Sequence, residues 1–231
     1  MERAILMAAG MGTRMRPLTD SMPKPLIEVN GKPMIETVLD GLIQRGVQDI
    51  TIMTGYLADK FQVLKEKYPQ IKILVNPDYQ TINNISSIYY ARQVLRGADC
   101  FICEADLFVS DPEIFQAKLD SSCYYGKFVA GSSDDWVFDR DENGWITRVG
   151  KVGTDCYNMC GIAYFKEKEA EILADAIEKQ YGVAGFENMF WDDVVNLNLD
   201  KLKLQVHPVQ PEQIVEIDTV EELETVRNRF S

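Results

Sequence analysis

Over its first half the chain alternates short apolar runs with segments whose apolar residues recur at helical spacing. No other feature constrains the fold as strongly. Residues 4–7 form a short apolar run that leads into a turn at Gly10 and Gly12. Pro33 stands at a helix start, and Met34, Val38 and Leu42, with Ile35, Leu39 and Ile43 beside them, make one helical stripe. Gly46 ends that helix. Strands are expected at residues 50–54, 71–75 and 100–103, with helical segments at 61–67 and 85–95 between them. This order implies a mostly parallel α/β sheet, covered by helices on both faces and joined by right-handed crossovers.

The pattern weakens after residue 122. Strands are expected at 127–130 and 136–138, and Asp141-Glu142-Asn143-Gly144 reads as the turn of a hairpin. A strand at 157–165, helices at 168–179 and 187–199, and strands at 204–209 and 214–217 follow. Thr219 and Glu222 have the spacing of a capping box for a last helix. With no repeat and no Pro-, Gly- or Ser-rich linker, residues 1–231 read as a single domain. Within it, a hairpin and loop insertion occupies residues 123–165.

Charge narrows the partners. The chain carries 36 acidic residues against 24 Lys and Arg, a net charge of -12. Such a field repels a nucleic-acid backbone, but local amides and a few cations can still bind a small anion. No apolar run approaches the length of a membrane span, so no membrane insertion is expected. The first residues lack a signal-peptide pattern, and the five cysteines are too sparse for a disulfide scaffold, which together suggest a cytoplasmic protein.

The most informative stretch is Ala8-Ala9-Gly10-Met11-Gly12-Thr13-Arg14, followed by Pro23-Lys24-Pro25. Small residues after a strand let a ligand lie against the backbone, and glycines permit a turn whose amides converge on phosphate. Arg14 and Lys24 add cations. The stretch is neither a Walker A loop nor a dinucleotide fingerprint. On these residues alone it is either a nucleotide phosphate site or a Gly-rich turn with no ligand.

The same stretch resembles the opening loop of nucleotidyltransferases that make activated sugars and alcohols from a nucleoside triphosphate. Their pattern is Ala-Ala-Gly, any residue, Gly, Ser or Thr, Arg, then Pro-Lys-Pro or Pro-Lys-Ala. The likeness continues through Asn30 to Ile35, Gly55-Tyr56, Glu104-Ala105-Asp106 and Glu216-Ile217-Asp218. Asn83-Asn84, Ser87, Tyr89 and Trp191-Asp192-Asp193 are similar to the branch of bacterial CTP:phosphocholine cytidylyltransferases. The resemblance implies a Rossmann-like three-layer α/β fold with a mixed, mostly parallel sheet and Mg²⁺-dependent transfer of a cytidylyl group from CTP to phosphocholine. Other small acceptors of the family are 2-aminoethylphosphonate, phosphoethanolamine and sugar 1-phosphates. A nucleotide sensor without catalysis is the reading from another class.

Roles follow from the same resemblance. Ala8, Ala9, Gly10, Gly12, Thr13, Arg14 and Asn84 would hold the nucleotide, and Lys24 and Arg14 would be catalytic. Asp106 and Asp218 would hold Mg²⁺, although Asp218 beside Thr219 also suits a helix cap. For the acceptor, a quaternary ammonium needs ring faces and nearby negative charge. Trp191, Asp192, Trp136, Tyr89 and Glu216 are the candidates, and the hairpin at 123–165 would cover that side. Cys100 and Cys103 fall in a strand with their side chains on opposite faces, and the lone His207 has no nucleophile beside it, so both readings are structural.

Overall fold

The computed structural model describes residues 1–230. In chain order its elements are β1 (Glu2–Ala8), β2 (Glu28–Val29), β3 (Lys32–Pro33), α1 (Met34–Arg45), β4 (Asp49–Thr54), α2 (Val63–Lys67), β5 (Ile71–Val75) and α3 (Ile85–Ala91). Then come β6 (Asp99–Glu104), β7 (Leu107–Val109), β8 (Ser122–Arg140), β9 (Ile146–Phe165), α4 (Glu167–Gln180), α5 (Trp191–Asn196), β10 (Leu204–Pro208), β11 (Ile214–Glu216) and α6 (Val220–Arg229).

Seven strands form one sheet in the order β10-β8-β9-β6-β1-β4-β5. β1 lies between β4 and β6, parallel to both, and β5 continues parallel to β4. β9 runs antiparallel to β6 and β8, and β10 pairs parallel with β8. The sheet is therefore mixed and mostly parallel, in a Rossmann-like α/β arrangement with helices on both faces.

Alternation along the strands divides the core. Ala4, Leu6 and Ala8 of β1 face α1, where Ile35, Val38, Leu39 and Leu42 form the buried stripe. Ile5 points the other way, into a second cluster with Leu173 and Ile177 of α4. Burying each such aliphatic side chain contributes roughly 1.5–3 kcal/mol, so both faces favour this layering. Cys100 and Cys103 fall in opposite clusters, and all five cysteines are free and buried. A third, smaller cluster joins Met15, Ile27, Val29 and Met34 to Ile217, Leu223 and Val226. It fastens the loop after β1 to the C-terminal helix.

Two expectations change. The separate strands at 127–130 and 136–138 are parts of one long strand, β8, whose pairing with β9 shifts register between Val129 and Ser132 and again between Ser133 and Trp136. These bulges interrupt the alternation that a sequence reading follows. The helix expected at 187–199 shrinks to α5. The Phe190 N–H donates to Asp193 Oδ2, and the Trp191 N–H donates to Asn84 Oδ1, a partner 107 residues away in sequence. The helix start is set by a tertiary contact that local spacing does not report.

Candidate active site

The carboxyl ends of β1 and β6 open on a cleft of about 770 Å³, where parallel α/β sheets collect their ligands. Ala8, Ala9, Gly10, Gly12, Thr13 and Arg14 line it. The two glycines serve different ends. A Cβ on Gly10 would meet nothing within 4 Å, so this position leaves open space on the cleft. Gly12 has φ of +59°, and a Cβ there would stand 2.9 Å from Lys24 Cβ and 3.0 Å from Thr19 Cγ2. Tyr56 pins the loop from outside: its N–H donates to Ala9 O at 3.1 Å and its hydroxyl to Thr19 O at 2.9 Å.

Lys24 is 6% exposed, and its Nζ donates to Asp106 Oδ2 and Asp218 Oδ1, each at 2.6 Å. Arg14 Nη2 reaches the same Asp218 oxygen at 2.8 Å. Burial works against the Lys24 charge, but the Asp106 and Asp218 carboxylates outweigh it and raise the ammonium's pKa. Helix α6 is capped by Thr219, whose Oγ1 accepts from the Glu222 N–H at 3.2 Å. Glu222 Oε2 in turn accepts from the N–H groups of Thr219 and Asp218. The Asp218 backbone is thus held by the cap while its carboxylate faces the cleft.

The pair Asp106 and Asp218 suits a hard cation. Asp106 Oδ1 is buried with no hydrogen-bond partner. Among the described residues no group of three or more His, Cys, Asp or Glu is gathered as a metal centre. Mg²⁺ asks for less, since it commonly takes one or two carboxylates and completes its shell with water and substrate phosphate.

Around this centre the cleft is acidic. Among the described residues Glu104, Asp106, Asp135, Asp192, Glu216 and Asp218 line it against Arg14, Lys24 and Lys151. Desolvation at the wall of the cleft, then the charges of Asp106 and Asp218, push Glu216 up to about 7. Burial, then Asp106 and Glu216, raise Glu104 well above the usual carboxylate range. Asp192 is 4% exposed; burial pushes it up to about 7, partly offset by the Tyr124 hydroxyl, which donates to Oδ1 at 3.0 Å.

The acceptor-side aromatics need correction. Trp191 is 3% exposed and does not line the cleft. Its ring packs against Tyr124 and Phe165 in the core, because the first turn of α5 sends Asp192 to the cleft and Trp191 inward. Tyr89 is also outside the lining; it stacks on Tyr181 with ring centroids 3.6 Å apart. Trp136 does line the cleft, edge-on to Phe190 at 5.4 Å. Asn84 lines the cleft with Oδ1 committed to the Trp191 backbone N–H, and Asn76, also in the lining, donates to the hydroxyls of Ser86 and Ser87. His207 packs on Tyr125 away from the cleft.

Several lining residues escape the sequence reading. Glu104 stands in the Glu104-Ala105-Asp106 motif but receives no role there, although its place at the end of a buried strand is the available signal. Asp135, Lys151 and Phe190 have no local signal, since hairpin register and a tertiary helix start bring them in.

The profile of the family described as Nucleotidyl transferase matches residues 3–127. The chain is 50% identical over 220 residues to 2-aminoethylphosphonate cytidylyltransferase of Lancefieldella rimae, covering 95% of this chain and 89% of that protein. It is 30% identical over 226 residues to choline-phosphate cytidylyltransferase of Streptococcus pneumoniae, covering 95% and 94%. The solved structure of CTP:phosphocholine cytidylyltransferase from Streptococcus pneumoniae superposes with a TM-score of 0.90 at 28% identity, covering 100% of this chain and 99% of that one. With the loop after β1, the buried lysine and the paired carboxylates in one cleft, the chain belongs to the nucleotidyl transferase family and transfers a nucleotidyl group to a small phosphorylated acceptor.

Proposed function

We propose that the protein transfers the cytidylyl group of CTP to 2-aminoethylphosphonate. One observation carries the choice of acceptor. The carboxylate that α5 presents to the cleft is Asp192, while the neighbouring Trp191 ring is turned into the core. A primary ammonium has N–H donors and pairs directly with a carboxylate. A trimethylammonium has none and relies on ring faces. The 50% identity to a 2-aminoethylphosphonate cytidylyltransferase supports the same choice over phosphocholine.

In this reading an ionised phosphonate oxygen attacks the α-phosphorus of CTP in line. The new P–O bond forms as the bond to pyrophosphate breaks, and pyrophosphate leaves with the electron pair. No proton need be removed from the nucleophile, which accords with a cleft that His207 does not line. The backbone of residues 8–13 holds the nucleotide, Arg14 meets the β- and γ-phosphates, and Lys24 opposes charge growing at the α-phosphate. Asp106 and Asp218 would hold Mg²⁺, which when bound neutralises phosphate charge and aligns the reacting oxygens. Asp192, with Glu216, receives the acceptor's ammonium, and the hairpin β8–β9 covers that side.

The test is a matrix of four nucleoside triphosphates against 2-aminoethylphosphonate, phosphocholine, phosphoethanolamine and a sugar 1-phosphate, read by pyrophosphate release with Mg²⁺. CTP with 2-aminoethylphosphonate is expected to turn over fastest. A higher kcat/KM with phosphocholine removes the acceptor assignment. No release with any pair removes catalysis.

A further inference from the structure

The corner made by Trp136 and Phe190 is already occupied by a cation of the chain itself. Lys151 stands opposite Trp136 in the β8–β9 ladder. Its ammonium lies 5.7 Å from the Trp136 ring centroid and 5.9 Å from that of Phe190, and all three residues line the cleft. Edge-to-face rings at 5.4 Å present the kind of surface that attracts a diffuse cation. The carboxylates and the rings therefore mark different parts of the acceptor side. Asp192 and Glu216 offer acceptor oxygens for N–H donors, whereas the aromatic corner could serve a cation without them.

We propose that Lys151 is a specificity-determining residue, whose ammonium fills the aromatic corner and disfavours acceptors bearing a quaternary ammonium. This rests on the reading of the cleft as an aminoalkylphosphonate site. The physical reason is competition. A trimethylammonium that seeks the two ring faces must displace the lysine ammonium and also bear its repulsion. A primary ammonium that pairs with Asp192 needs neither ring, so it binds with Lys151 in place. Discrimination arises from an element that opposes the wrong acceptor, in addition to one that attracts the right one.

Two variants separate charge from packing. Lys151→Met keeps an unbranched apolar stem and removes the ammonium, and Lys151→Arg keeps the charge. For each, kcat and KM are measured with phosphocholine and with 2-aminoethylphosphonate at saturating CTP. The quantity read is the ratio of the two kcat/KM values relative to wild type, so it does not depend on which acceptor wild type prefers. In Lys151→Met the ratio should move about fivefold toward phosphocholine, the size of a cation–π contact of about 1 kcal/mol, and the gain should appear in KM. Lys151→Arg should stay within twofold of wild type. Choline alone, titrated against tryptophan fluorescence, should bind Lys151→Met more tightly than wild type.

An unchanged ratio, or weaker choline binding in Lys151→Met, overturns the inference. So does a loss confined to 2-aminoethylphosphonate, which would make Lys151 a ligand of the phosphonate. A wild type that prefers phosphocholine removes the acceptor assignment instead, and the variant ratio still decides the role of Lys151.

Discussion

Lys24 shows how single side chains acquire function here. An unpaired ammonium this deeply buried would tend to lose its proton, but two carboxylates at 2.6 Å hold the charge in place. Gly12 is small because the Lys24 stem passes beside it. Asp192 offers the clearest measurement at this scale. Its carboxyl ionises near 3.8 when unfolded and near 7 in the fold. The folded protein therefore loses stability as pH rises between those values, and the loss is complete once the folded group has ionised. Asp192→Asn stays neutral and should raise the Tm above pH 7 by a few degrees, at about 2–4 °C per kcal/mol for a chain of this size. The same substitution should weaken the acceptor. In wild type the KM for 2-aminoethylphosphonate should fall as pH rises through about 7, because the carboxylate then forms. In Asp192→Asn that step should shrink to what Glu216 contributes, and KM should be about tenfold higher, the size of one charged hydrogen bond. Profiles of both proteins, run side by side, cancel the acceptor's own ionisation. A step of undiminished size in the variant would assign the titration to Glu216 alone.

Among the elements, α6 has a role that its place at the end of the chain conceals. Its capping box holds the backbone N–H groups of Asp218 and Thr219 on one Glu222 oxygen. Its apolar residues Leu223 and Val226 share a cluster with Met15 from the loop after β1. One helix thus sets both a carboxylate and the back of the loop after β1. Glu222→Ala removes the acceptor for both N–H groups and should cost about 1 kcal/mol, seen as a Tm lower by roughly 2–4 °C. It should also raise the Mg²⁺ concentration needed for half-maximal turnover, because Asp218 is less firmly placed. Glu222→Gln keeps an oxygen in the same position and should remain close to wild type in both measurements. An equal rise in Mg²⁺ requirement for both variants would trace the effect to lost charge and not to the cap.

For the whole molecule, the decisive relation is between a net charge of -12 and a cleft that must admit a polyanion. In the proposed reaction the acidic lining makes a divalent cation and the acceptor's ammonium part of the site's charge balance. CTP with Mg²⁺ should therefore bind well together and stabilise the fold by mass action. At a hundredfold excess over Kd the gain is about 2.7 kcal/mol, or roughly 5–10 °C in Tm. CTP with a chelator should give a much smaller shift. Thermal melts in the four combinations of nucleotide and metal measure this directly. Equal shifts with and without Mg²⁺ would remove the metal from nucleotide binding.

The amino-acid sequence by itself determined the layered α/β plan, because strand and helix periods are local properties of residues a few positions apart. It also singled out the loop at 8–14, Lys24, Asp106 and Asp218, whose residue types and strand-end positions are local too. The capping box at Thr219 was readable for the same reason, and it left open whether Asp218 capped or faced a ligand. Tertiary structure gives the cap to Thr219 and brings Lys24 and Arg14 to the Asp218 carboxylate across almost the whole chain. It also turned Trp191 into the core and Asp192 into the cleft, since the start of α5 is set by Asn84 from a distant loop. The bulged register of β8 and β9 placed Lys151 over Trp136 by the same kind of non-local pairing. Which side of an element meets a ligand depends on long-range partners, and those partners leave no period in the sequence.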